Sequence, residues 1–132
     1  MLGGCHIKPE QFFNLIFGYY DRYFEIGSDL NAPAGNVLKS LSAVPSDEVW
    51  MLQHFHAADA NRQLRIQCQI IGTGGQAIEI RDTLADATSF AVTHSGWYIL
   101  KPGDYVRFLF VGVVLNDDLW WKAWGFKMKL SQ

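Results

Sequence analysis

Hydrophobic and polar residues alternate with a period of two along much of the chain after residue 37. The clearest example is 62–71, where even positions from 64 to 70 are apolar, while Arg65, Gln67 and Gln69 occupy the odd positions. Successive side chains of a strand point to opposite faces of a sheet. This segment is therefore predicted to be a strand with one buried face and one polar face.

Short segments of this kind recur between clusters of Gly, Pro, Asn and Asp, which are typical turn residues. The imperfect alternation within 48–57 also suggests a β-bulge there. The predicted strands span 37–44, 48–57, 62–71, 76–81, 88–93, 97–100, 105–111 and 119–130. Eight strands at this spacing indicate an all-β fold, and we expect an antiparallel, jelly-roll-like sandwich of two sheets.

The last predicted strand carries aromatic residues on both parities. Trp120 and Trp124 share the even positions with Phe126, Met128 and Leu130, whereas Lys127 and Lys129 take the odd positions. This pattern predicts that the even positions face the core and that Trp121 faces outward. An outward tryptophan suits a subunit interface, the interpretation that we favour, or stacking on a sugar ring, for which Trp97 is a second candidate.

The amino-terminal part of the chain has a different pattern. From Pro9-Glu10, a favourable helix start, aromatic and aliphatic residues recur at spacings of three and four up to position 24. A helix over 8–26 is predicted, although Gly18 and the β-formers Tyr19-Tyr20 leave an extended arm possible. We therefore divide the chain into a helix or arm with its loop (1–36) and a sandwich domain (37–132). An aromatic helix outside the sandwich has more apolar surface than one small domain easily covers, so this segment is expected to contact a partner.

Composition narrows the range of functions. The chain has 132 residues, 49% of them hydrophobic, and a formal net charge of −2. It is long enough for a single domain with its own core, and it lacks the basic clusters that bind nucleic acid or membrane surfaces. No signal peptide is recognised, so folding in the cytoplasm is expected. Cys5 and Cys68 are predicted to be unlinked, with Cys68 a small buried hydrophobic residue.

His54 and His56 form an HxH pair whose rings are predicted to lie on one face of a strand, as a metal site requires. Together with the corner Lys101-Pro102-Gly103-Asp104, the pair resembles the motifs of cupins, which implies a small metalloenzyme. Ala60 and Asn61 stand where the cupin glutamate belongs, and no histidine follows His94. With half of the ligands missing, two surface histidines without a metal are the favoured interpretation.

Other catalytic or cofactor motifs are not found. His94 and Ser95 are adjacent, but strand neighbours point to opposite faces, which argues against a catalytic pair. The glycine cluster 72–75 lacks the lysine and helix of a phosphate-binding loop, so it is predicted to be a hairpin turn. We expect a protein that is not an enzyme and that binds no cofactor.

Two longer segments of the sequence resemble those of a protein family. The segments 44–50 (VPSDEVW) and 96–108 (GWYILKPGDYVRF) resemble those of small β-sandwich structural proteins of tailed bacteriophages, the accessory proteins of heads, necks and tails. The resemblance implies a non-enzymatic virion component, often a trimer, that contacts other virion proteins. It also implies attachment by the amino-terminal segment, with Phe12, Phe13, Phe17 and Tyr20 as the expected contact residues. The alternatives left open are the cupin-type metalloenzyme and a carbohydrate-binding module for attachment to a host receptor.

Overall fold

The computed structural model describes residues 21–129, which form eight antiparallel strands in two four-stranded sheets. No helix occurs within this range, and so none there is long and apolar enough to cross a membrane. The strands are β1 (Asp21–Asp29), β2 (Gly35–Ser40), β3 (Glu48–Asp59), β4 (Arg65–Ile71), β5 (Ala77–Leu84), β6 (Ala91–Leu100), β7 (Tyr105–Val113) and β8 (Leu119–Lys129).

The strand order is that of a jelly roll. Sheet A has the order β1-β8-β3-β6 and sheet B the order β2-β7-β4-β5. Strands β1 and β8, β2 and β7, β3 and β6, and β4 and β5 are all antiparallel neighbours. The chain is thus one long hairpin rolled into a sandwich. Its tip is the glycine turn after β4, where Gly75 donates to the carbonyl of Gly72 and has a φ of 84°. The hairpin predicted for this cluster is confirmed.

The inner faces of the two sheets form the core. Phe55 of β3 packs edge-on against Phe108 of β7, with ring centroids 5.8 Å apart, and Ile66 and Phe110 are also fully buried. The alternation predicted for β4 and β7 is therefore confirmed. Cys68 is buried, in agreement with its predicted role as a small hydrophobic residue, whereas Cys5 lies outside the described residues.

The predicted number of strands agrees with the structure, but two of the predicted elements differ. Residues 91–93 of the predicted strand 88–93 and the segment 97–100 belong to one strand, β6, whereas 88–90 precede it; 82–84, predicted to be a connection, is the end of β5. β6 pairs with β3 on both sides of a register shift at Gly96 and Trp97, and this pairing keeps the strand extended through Gly96 despite the turn propensity of glycine. Because two predicted strands form one, a further strand is needed to reach eight. That strand is β1, which the sequence pattern did not identify.

The predicted helix is wrong over residues 21–26, which lie in β1. β1 pairs with β8 over nine residues, and Tyr23 points inward to stack on Trp50 at 4.3 Å between centroids. Aromatic residues favour strands, and without β1 the strand β8 would have an unpaired edge. The sandwich therefore extends into the range 1–36. The rest of the predicted helix, with Phe12, Phe13, Phe17 and Tyr20, lies outside the described residues.

The facing predicted for β8 is inverted. Leu119, Trp121 and Ala123 point into the core, and the side chain of Trp121 is only 8% exposed. Its indole lies 6.2 Å from the ring of Phe110, and it occupies the space that a side chain at Gly27 would need. The exposure on which the interface role of Trp121 depended is absent. Tryptophan occupies both even and odd positions of β8, so hydrophobicity does not distinguish the two faces of the strand. Only Lys122, a charged residue among apolar even positions, indicated that the even positions face water.

A β-bulge in β3 between Leu52 and His54 confirms the predicted irregularity. Gly125 of β8 lies opposite Leu52, and a Cβ atom there would collide with the main-chain carbonyl of Met51. Glycine at 125 therefore allows the bulged strand and β8 to approach each other, which keeps the register of the sheet A core.

A buried acidic pair lies at the end of β3. The carboxylate of Asp117 accepts hydrogen bonds from Arg62 at 2.7 and 2.9 Å, which hold its pKa down at about 2. Asp59 is completely buried; its Oδ1 accepts the Asn61 N–H at 2.8 Å, while Oδ2 has no donor among the described residues. Burial, and then the hydrogen bond to Asp117, raise the pKa of Asp59 to about 6. A proton on Asp59 shared with Asp117 satisfies both groups.

We expect Asp59→Asn to stabilise the protein near pH 7, because its amide can donate to Asp117 without needing a proton. In the folded wild-type protein Asp59 has a pKa above its ordinary 3.8, so folding favours the protonated form and stability falls as pH rises from about 4 to beyond 6. The variant should lack this fall and gain about 1–3 kcal/mol at pH 7. Urea unfolding of both proteins from pH 4 to pH 7 measures the effect. Equal pH slopes in the two proteins would contradict the shared proton.

Candidate interaction surface

The outer face of sheet A is largely apolar. Phe24 and Ile26 of β1 and Trp97 and Ile99 of β6 are exposed, and half-buried side chains of β3 and β8 lie between them. We call this surface the aromatic face. It consists of Phe24, Ile26, Met51, Trp97, Ile99, Trp120, Trp124 and Phe126.

The outer face of sheet B is polar by comparison. Arg65 forms two hydrogen bonds with the carboxylate of Asp82, at 2.6 and 2.7 Å, and the guanidinium of Arg107 donates to Gln69 at 2.8 and 3.1 Å. These groups suit contact with water. Leu38 and Leu84 are also exposed on this face, on its edge strands β2 and β5, but its central strands β4 and β7 carry the polar groups named above. On sheet A, apolar side chains cover the central strands as well, and a contiguous patch of this kind is typical of an interaction site. The aromatic face is therefore the candidate functional site.

The centre of the aromatic face is a ladder of histidine, tryptophan and lysine side chains. The pairing of β3 with β8 places His54 opposite Trp124 and His56 opposite Lys122. His54 stacks on Trp124 with centroids 4.2 Å apart, and His56 stacks on Trp120 at 4.5 Å. Lys122 lies between the two tryptophans, with Nζ 5.6 Å from the ring of Trp124 and 5.8 Å from that of Trp120. Cation–π attraction therefore holds its ammonium group.

The ladder keeps both histidines neutral at pH 7. Burial, and then the positive charge of Lys122, lower the pKa of His54 and of His56 below the ordinary value of 6.5. A neutral imidazole can stack on tryptophan and be covered by a partner at little electrostatic cost, whereas a charged one cannot. The two histidines therefore add little to the cost of covering this surface, and Lys122 is the charged group at its centre.

The two histidines share one face as predicted, but their surroundings do not suit a metal. Lys122 repels a cation, and residues 21–129 contain no group of three His, Cys, Asp or Glu side chains that could hold one. The corner Lys101–Asp104 forms an ordinary turn, because Asp104 accepts the Lys101 N–H at 2.9 Å and Gly103 donates to the carbonyl of Val44. The corner thus has a structural role in this fold.

A histidine–serine contact does occur, but across strands. Nδ1 of His54 is 2.6 Å from the hydroxyl of Ser95, while His94 points to the other face and contacts the hydroxyl of Tyr98. The argument that His94 and Ser95 do not pair is confirmed. A catalytic histidine is normally oriented by an acid on its second nitrogen. Within the described part of the chain no carboxylate bonds to His54, so this contact positions the ring.

A groove crosses the aromatic face between β1, β8 and β3. It encloses about 580 Å³ and is lined by Arg22, Phe24, Gln53, Lys122, Trp124 and Phe126, with Tyr23 and Gly125 completing its wall. The bulge in β3 turns Gln53 toward it. Arg22 and Lys122 are its only charged lining residues, so the groove is aromatic and cationic. The sequence pattern did not identify it, because the residues come from three strands whose pairing was not known.

We expect Lys122→Met to raise the pKa of both His54 and His56, because the variant removes a positive charge near each ring. Burial persists in the variant, so both pKa values should stay below 6.5. Titration of the histidine ring protons by NMR measures the change. Lys127→Met removes the same charge from an odd-numbered position of β8, on the opposite face of the strand. This control should leave the pKa values of His54 and His56 unchanged. An unchanged titration in Lys122→Met would contradict the ladder.

Comparison with known proteins bears on the fold. No family model and no curated protein matches this sequence. A chain from the acid-stable capsid of Helicobacter pylori bacteriophage KHP30 is similar in structure, with a TM-score of 0.53 and 11% identity over 85% of this chain and 94% of that chain. A chain of the disulfide-linked pili of Bacillus endospore appendages gives a TM-score of 0.47 and 9% identity, over 99% of both chains.

A weaker similarity is found with a protein of another virus particle. VP2 of the infectious bursal disease virus subviral particle gives a TM-score of 0.39 and 12% identity. The match covers 83% of this chain and 32% of VP2. At these identities a structural likeness indicates a shared fold and leaves the function open. The phage capsid chain supports the β-sandwich expected from the sequence. The function must be argued from the surface.

Proposed function

We propose that this protein is a non-enzymatic structural protein that assembles with copies of itself and with other proteins through its aromatic face. The assembly in question is a tailed-phage particle, in which the chain would serve as a head-decoration, neck or tail accessory component. The observation that carries the proposal is the contrast between the two outer faces: hydrogen-bonded polar groups on sheet B and an apolar patch around neutral histidines on sheet A.

The size of the aromatic face suits this role. Four strands of about ten residues, spaced by about 4.8 Å and rising about 3.3 Å per residue, give a face of roughly 600 Å². Stable protein interfaces bury about 800 Å² per partner, so the face and its rim together are large enough. Aromatic side chains contribute most of the binding energy at such interfaces. The exposed Trp97 and Phe24 are therefore expected to be the main contact residues among those described, in place of Trp121.

The proposed partners are further copies of the chain, in a trimer or another closed ring, and neighbouring virion proteins such as the major capsid or tail proteins. The contact residues proposed in the amino-terminal segment remain Phe12, Phe13, Phe17 and Tyr20. We propose no nucleic-acid, membrane, metal or cofactor partner. The fold shared with a phage capsid chain is compatible with a place in the virion, but fold does not determine function, and the proposal rests on the surface.

Ile99→Asp tests the proposal. Ile99 on the aromatic face and Leu38 on the outer face of sheet B are both 53% exposed, so Leu38→Asp is a matched control. We expect the wild-type chain to form a metal-free closed oligomer in native mass spectrometry and light scattering. Ile99→Asp should weaken it by at least about tenfold, because a carboxylate is then buried in an apolar contact. Leu38→Asp should assemble normally.

A monomeric wild-type chain at micromolar concentration would contradict self-assembly, and equal weakening by both substitutions would mean that the contact is not on the aromatic face. Circular dichroism melting curves of both variants separate a loss of assembly from a loss of folding. One bound metal per chain would instead favour the metalloenzyme interpretation and direct attention to His54 and His56.

The second candidate function is recognition of a host glycan, and the exposed Trp97 favours it. Its indole is 67% exposed on the edge strand β6, as a platform for sugar stacking requires. If this function applies, binding to a glycan array should be lost in Trp97→Ala, while Ile99→Asp, two residues along the strand, should retain part of it. An array without signal for the wild-type chain would exclude this candidate.

A further inference from the structure

The charges of the aromatic face restrict what can cover it. Among the outward positions of the four strands of sheet A, the only charged residues are Arg22 on β1 and Lys122 on β8, and both are cations. Both line the groove. Four other cations of the described residues do pair with acids, as in Lys39–Asp29 and Arg65–Asp82. Neither Arg22 nor Lys122 has a carboxylate partner among the described residues.

A partner that covers this groove must therefore supply a carboxylate. Burying an unpaired ammonium or guanidinium group costs several kcal/mol, of which a buried opposite charge recovers a large part. Two aromatic faces packed directly on each other would bring four cations together and provide no acid. The charge pattern thus disfavours a face-to-face contact between two copies and favours an occupant that combines one acid with aromatic side chains.

The chain itself contains such a segment. In residues 1–20 the only acid is Glu10, which follows the only lysine, Lys8, by two positions and precedes Phe12, Phe13, Ile16 and Phe17. The segment joins the described fold at Asp21, next to the groove residue Arg22 at the start of the edge strand β1. The thirteen residues 8–20 span at most about 45 Å when extended, which is long enough to reach the groove of an adjacent molecule.

We infer that the groove on the aromatic face is the binding site for residues 8–20 of a neighbouring copy, with Glu10 paired to Lys122 and Arg22 and the phenylalanines packed on Trp124 and Phe24. This inference rests on the proposed self-assembly and specifies its contact. The segment is attached at Asp21, beside the groove. Each copy therefore has both the segment that is bound and the groove that binds it at the same edge of sheet A. Copies can therefore exchange segments around a closed ring.

Two charge reversals in the full-length chain test the inference. Glu10→Lys alters the donor segment and leaves the groove intact, whereas Lys122→Glu alters the groove and leaves the segment intact. Each variant alone should assemble at least about tenfold more weakly than wild type, because like charges then meet. Arg81→Glu, an equal charge reversal on the exposed edge strand β5, is the matched control and should assemble normally.

Mixing the two variants is the decisive step. The altered segment of Glu10→Lys then meets the altered groove of Lys122→Glu, and the native segment of Lys122→Glu meets the native groove of Glu10→Lys. Both contacts become complementary only between different copies. Native mass spectrometry should show mixed species containing both chains, at concentrations where neither variant assembles alone. A ring with an odd number of subunits cannot alternate the two variants, so the mixed pair is the smallest expected species.

Other outcomes would overturn the inference. If both single variants assemble like wild type, the groove does not bind this segment, although self-assembly itself would stand. If both are monomeric and the mixture is too, the segment and the groove do not meet between copies. A monomeric wild-type chain would refute the proposed function itself. Melting curves of both variants establish that each is folded before mixing.

Discussion

The register between β3 and β8 is the constraint on which the arrangement of both faces of sheet A depends. These two central strands place Phe55 and Trp121 in the core and the stacked pairs His54–Trp124 and His56–Trp120 on the outside. A slip by one residue would exchange the two sets of side chains, because the period of a strand is two. The bulge after Leu52 and the missing side chain at Gly125 fit each other, so this register is specified by shape as well as by hydrophobicity.

Sequence reasoning succeeded where one face of a strand is apolar and the other polar, as in β4 and β7. It failed in β8, where Trp120 and Trp121 carry similar hydrophobicity on opposite faces, and in β1, where aromatic spacing fits a helix as well as a strand. In both strands tertiary pairing decides the outcome. The histidine pair was recognised from spacing alone, but its ring partners and the groove come from neighbouring strands, and no local pattern could place them together.

The aromatic face differs from the buried faces of the sheets because it carries two positive charges and, among its described outward positions, no acidic residue. A hydrophobic patch alone would associate with many apolar surfaces, whereas unpaired cations penalise partners that bring no carboxylate. The neutral histidines beside Lys122 limit this penalty at neutral pH, since they add no further positive charge. The combination provides affinity through aromatic burial and selectivity through the cost of leaving Lys122 and Arg22 uncompensated.

The rolled hairpin brings the two ends of the described chain together. Asp21, the first residue of β1, lies opposite Lys127 near the end of β8, so polypeptide attached before one strand or after the other emerges at the same corner of sheet A. A label attached at either of these two positions would therefore lie beside the aromatic face. The exposed turn between β5 and β6, around Ala87 and Thr88, lies at the other end of the sandwich and offers a position for a label that keeps this face accessible.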